Sequence, residues 1–105
     1  MQEITAAELK EKMDAGEVQL IDVRQPDEFA FAKIEGAKLI PLGEIVGRMD
    51  ELDDSKELIV QCKSGGRSAY AIQYLAQAGY TGKMANLKGG ITAWSNDIDP
   101  KIPKY

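Results

Sequence analysis

Residues 58–80 read LIVQCKSGGRSAYAIQYLAQAGY: an apolar run ends in the chain's only cysteine, and a glycine pair and an arginine then lead into a helical pattern. The run ELIVQC (57–62) has the aliphatic, β-branched composition of a buried strand. From about 66 to 78 the pattern is that of a helix, which Gly79 stops. A strand, a glycine loop and a helix in this order form the repeating unit of α/β architecture.

The same alternation continues on both sides. TAAE (5–8) has the form of a capping box and predicts a helix over about 6–15, closed by Gly16. VQLIDVR (18–24) reads as a buried strand, and Pro26 suits the first turn of a short helix carrying DEFAFAKI. GAKLIPL (36–42) reads as a short strand. In GEIVGRMDEL (43–52), Ile45, Met49 and Leu52 recur at helical spacing and predict another helix. KMANL (83–87) supplies a last strand and GGITAWSNDI (89–98) a short helix. Pro100 and Pro103 then make the tail, 98–105, irregular. Strands and helices alternating over short connections predict an α/β domain with a parallel sheet, a single domain over 1–105.

Bulk properties narrow the function. The 105 residues carry 17 acids and 13 bases, interspersed, for a net charge of −4, so no basic surface suggests nucleic acid as a partner. No apolar stretch reaches membrane-spanning length, and the polar, amphipathic start lacks the features of a secretory signal; both lead to the expectation of a cytoplasmic protein without membrane association. One cysteine makes no internal disulfide, in keeping with a reducing compartment. Histidine is absent, which removes a Cys/His nucleophile pair, a Ser/His/Asp triad and mixed Cys/His zinc ligation. No metal or cofactor is expected.

The chemistry then rests on Cys62. In an open α/β sheet, ligands bind beyond the carboxyl ends of the strands, where loops run into helix N-termini. There Gly65 and Gly66 have access to conformations other residues avoid, so that the backbone N–H groups of Lys63, Ser64, Gly65, Gly66 and Arg67 can surround one small concavity. The helix dipole, Lys63 and Arg67 add positive potential, and each influence favours thiolate over thiol. The bland alternatives are a cysteine serving as a small core hydrophobe, an Arg67 engaged in a surface salt bridge and a solvated Lys63. Asp22, Arg24 and Glu28 read as scaffold, with an Arg24–Glu28 pair and an Asp22 bond to loop backbone; Trp94 reads as core.

Four stretches in order, LIDVRQPDEF (20–29), IEGAKLIPL (34–42), LIVQCKSGGRSAYAIQYLAQAGY (58–80) and LKGGITAW (87–94), resemble the signatures of the rhodanese family of sulfurtransferases. The resemblance covers nearly the whole chain. It departs from many relatives at Lys33, where they carry histidine, and at Glu35, where they carry proline. It implies a parallel five-stranded sheet flanked by helices on both faces, with the active loop at Cys62–Arg67. It also implies that Cys62 takes the outer sulfur of a small anionic donor such as thiosulfate, holds it as a persulfide and passes it to a thiophilic acceptor. Lys63, Ser64, Gly65, Gly66 and Arg67 would bind the substrate. Candidate acceptors are cyanide in the test tube, or a sulfur-carrier protein, thioredoxin or glutathione in the cell. The tail WSNDIDPKIPKY (94–105) resembles that of rhodanese domains fused to adenylyltransferases. Two rivals stand beside this reading: a phosphatase, disfavoured because the loop is Cys-x4-Arg where such enzymes have Cys-x5-Arg, and a non-catalytic or redox-sensing regulatory or binding module.

Overall fold

A computed structural model describes all 105 residues. Five strands, β1 (Glu3–Ile4), β2 (Val18–Asp22), β3 (Lys38–Leu39), β4 (Glu57–Gln61) and β5 (Met84–Leu87), form one parallel sheet in the order β1-β5-β4-β2-β3. Four α-helices connect or follow them: α1 (Ala6–Asp14), α2 (Pro26–Phe31), α3 (Gly66–Gln77) and α4 (Gly90–Asp97). No helix is long and apolar enough to cross a membrane.

The pleat of β4 divides the core. Leu58, Val60 and Cys62 join one buried cluster with Ile21, Val23, Ile40, Ile45, Ile72 and Leu75. Ile59 faces the other cluster, where Leu9, Leu20, Ile34, Leu87, Ile91 and Trp94 pack. Because a parallel sheet is covered on both faces, its central strands read as continuous apolar runs. That is why LIDV and LIVQC were readable as strands. The capping box of α1 is present, with Glu8 N–H donating to Thr5 Oγ1 (3.2 Å) and Thr5 N–H to Glu8 Oε1 (2.9 Å).

The segment 43–52 departs from its predicted helix. It forms two short 3-10 turns, Leu42–Glu44 and Met49–Glu51, about a turn at 45–48. Gly43 and Gly47 weaken a helix that is too short to nucleate well. Ile45, Met49 and Leu52 still face the core, so their spacing reported burial and not a helix. The strand expected over 36–42 is reduced to Lys38–Leu39, at the sheet edge. The two-residue β1 had no signal of its own and exists by pairing with β5.

Candidate active site

The parallel strands β2 and β4 send their connections to opposite sides: the segment after β2 leads out to β3, while α3 leads the other way to β5. Crevices form at such switch points, beyond the carboxyl ends of the strands. The turn after β2 and the loop after β4 lie side by side at this point.

Cys62 sits at the floor of the β4–α3 loop, 1% exposed. Its carbonyl accepts from Ile91 N–H (2.9 Å), and the carbonyl of Lys63 accepts from Thr92 N–H (3.2 Å). The N-terminus of α4 thus takes the first carbonyls of the loop. Gly65 N–H donates to Cys62 Sγ (3.1 Å), while the N–H groups of Lys63, Ser64, Gly66, Arg67 and Ser68 find no protein oxygen. Gly65 requires its glycine, at φ +116°; Gly66 has no positive φ and begins α3. Only one of the two glycines is therefore conformationally special.

Two residues that sequence reasoning missed complete the floor. Ser68 Oγ lies 3.4 Å from Cys62 Sγ, and its hydroxyl donates to Asn86 Oδ1 (2.6 Å) with Gly65 O also in reach (3.1 Å). Asn86 Nδ2 donates to Gly65 O (3.0 Å) and so braces the turn from β5. Burial, the largest influence on Cys62, pushes its thiol up. The Ser68 hydroxyl and the N–H groups of Ser68, Gly65 and Ser64 outweigh it, leaving the pKa below the ordinary thiol value.

The ion pairs differ from those expected. Arg24 is fully buried and pairs with Asp22 (2.7 Å), not with the Glu28 carboxylate; Asp22 also accepts the Arg24 backbone N–H (3.0 Å) in the turn after β2. Two residues apart, these side chains leave the end of one strand together, and Arg24 also donates to Ala32 O (2.6 Å). Glu28 instead takes both forks of Arg67 (2.6 and 2.9 Å), tying α2 to α3. The Arg67 guanidinium, with the donor hydrogen bonds and charge of this pairing, holds the Glu28 carboxyl down at about 2. Tyr105, in the tail, accepts from Arg24 Nη1 (2.8 Å) and donates to Glu28 Oε2 (2.8 Å), and Lys63 Nζ lies 4.6 Å from its ring centroid. The lysine is half-buried, and Ser64 is exposed. Trp94 is core, as expected.

The rhodanese-like domain family matches residues 5–97. The chain belongs to that family. This rhodanese-like chain is similar to a sulfurtransferase from Allochromatium vinosum, 39% identical over 94 residues that cover 89% of the chain and 87% of the relative. It is also similar to an adenylyltransferase and sulfurtransferase from Zea mays, 36% identical over 110 residues; there the match covers 97% of this chain and 23% of the longer protein. The fold superposes on a thiosulfate sulfurtransferase from Pseudomonas aeruginosa with a TM-score of 0.88 at 29% identity, over 99% of this chain and 20% of that one. Sulfur transfer is therefore supported at the level of the family.

Proposed function

We propose that this rhodanese-like domain moves sulfane sulfur from thiosulfate to a thiophilic acceptor through a persulfide on Cys62. The observation that carries the reading is a buried sulfur inside a turn of free N–H groups, with Gly65 N–H and the Ser68 hydroxyl already against it. Such a concavity accepts a second, anionic sulfur as well as the thiolate.

In the first half-reaction the Cys62 thiolate attacks the outer sulfur of thiosulfate. The sulfur–sulfur bond of the donor breaks, sulfite leaves with the electron pair, and the outer sulfur stays on Cys62. In the second, a nucleophile such as cyanide attacks that sulfur and the Cys62 thiolate leaves. The free N–H groups of Lys63, Gly66 and Arg67 hold the outer sulfur, and Lys63 draws the anionic donor. Arg67, matched by Glu28, fixes the wall of the loop. The acceptor in the cell is a sulfur-carrier protein or thioredoxin. A lone cysteine suits a cytoplasmic setting.

Intact-mass measurement after incubation with thiosulfate tests this. The expected result is a gain of one sulfur atom that reductant removes, with Cys62→Ser gaining none and losing thiosulfate:cyanide activity by roughly a thousandfold or more. Retention of activity in Cys62→Ser, or no gain in the wild-type protein, overturns the persulfide.

A further inference from the structure

Three cations gather around one side chain in the tail. Arg24 donates to the Tyr105 hydroxyl and lies 5.8 Å from its ring, Lys63 lies over the ring, and Arg67 is one step away through Glu28. Two of the three are matched by carboxylates, Arg24 by Asp22 and Arg67 by Glu28. Lys63 has no carboxylate partner. A ring carries no net charge, so it can hold an ammonium without neutralising it, where a carboxylate would cancel the field an incoming anion feels.

The ring itself is held in place. Ile102 is 9% exposed in the core, Ser95 Oγ donates to its carbonyl (2.8 Å), and Phe31 meets Tyr105 edge-on with ring centroids 6.0 Å apart. The other end of the same tyrosine occupies Glu28 Oε2. Tyr105 thus stands between the unmatched lysine and a carboxylate. A lysine stem freed from the ring has that carboxylate to turn to.

We infer that Tyr105 is a positioning residue for charge specificity: its ring keeps Lys63 as an uncompensated cation on the loop that begins at Cys62, which favours an anionic sulfur donor over a neutral one. The inference rests on the proposed sulfur transfer only for the identity of that anion.

The test compares alkylation of Cys62 by iodoacetate, an anion, with alkylation by iodoacetamide, which is neutral. The ratio of the two rates cancels thiolate fraction and general access, so a merely structural change does not move it. For Tyr105→Ala the ratio is expected to fall by roughly threefold or more at low ionic strength, the scale of one nearby charge. Tyr105→Phe, which keeps the ring, stays within about twofold of wild type. Lys63→Ala falls as far as Tyr105→Ala, and the double variant falls no further. An unchanged ratio in Tyr105→Ala, an equal fall in Tyr105→Phe, or a second fall when Tyr105→Ala is added to Lys63→Ala overturns the inference. Alkylation needs only the thiolate, so a protein that takes no sulfur from thiosulfate still reports this ratio, and that failure counts against the persulfide alone.

Discussion

Ser68 has one hydroxyl hydrogen and three acceptors within reach: Asn86 Oδ1, Gly65 O and Cys62 Sγ. Asn86 Nδ2 already serves Gly65 O, so the hydrogen is divided between Asn86 and the sulfur. As the thiol ionises, the sulfur becomes the stronger acceptor, and the hydroxyl is in place to answer it without moving backbone. Removing it leaves the burial penalty with fewer opposing donors. In Ser68→Ala the midpoint of the pH dependence of iodoacetamide alkylation therefore moves up. At a pH below both midpoints the rate falls by roughly fivefold to thirtyfold, the loss of a hydrogen bond worth about 1–2 kcal/mol. An unmoved midpoint would mean that the amides alone hold the thiolate. Cys62 to Arg67 could be read from the sequence because loop, glycine and helix start are contiguous there. Ser68 is next in line but looked like any polar helix residue, and Asn86 arrives from a strand 18 positions later. Only pairing of β5 with β4 brings it under the loop.

The elements hold the loop by their ends. At the N-terminus of α4 the N–H groups of Ile91 and Thr92 take the carbonyls of Cys62 and Lys63. For this the helix must approach backbone to backbone, and Gly90 is where it does so. A Cβ there would lie 2.5 Å from Lys63 O and closer still to Cys62 O, with φ at +56°. Gly66 is the contrast, having no neighbour within 4 Å of an added Cβ. Gly90→Ala is therefore expected to lower the unfolding free energy by roughly 2–4 kcal/mol and to slow Cys62 alkylation, while Gly66→Ala changes stability by less than about 1 kcal/mol. Urea unfolding of the two variants side by side checks this, and equal costs would refute the close-approach account. The sequence showed the GG of 89–90 as a motif but not its purpose, because the atoms it must clear belong to residues 62 and 63. The opposite failure occurred at 43–52. Core-facing residues three and four apart mimicked a helix there, and only the two glycines hinted that the backbone would break into turns.

Across the whole molecule, Glu28 links segments that lie far apart in the chain: it joins α2 to α3 through Arg67, 39 residues away, and to the tail through Tyr105, 77 away. Ties of this span oppose global unfolding, so their loss is visible in overall stability. The carboxyl is held at about 2 in the folded protein against an ordinary 4.5. A depressed carboxylate pKa means that the unfolded chain binds the proton more readily, so the stabilisation is complete above about 4.5 and is lost as pH falls through 2. That difference corresponds to about 3 kcal/mol, and solvent around the 35% exposed Arg67 side chain reduces it to about 1–2 kcal/mol. Glu28→Gln keeps the shape and removes the charge. Wild type should therefore exceed Glu28→Gln by about 1–2 kcal/mol in urea unfolding at pH 7, with the gap narrowing below pH 4.5 and nearly closed at pH 2. A gap that stays constant with pH would assign the effect to packing of α2 against the tail, and would remove the ion pair as the reason the two sides of the crevice stay together.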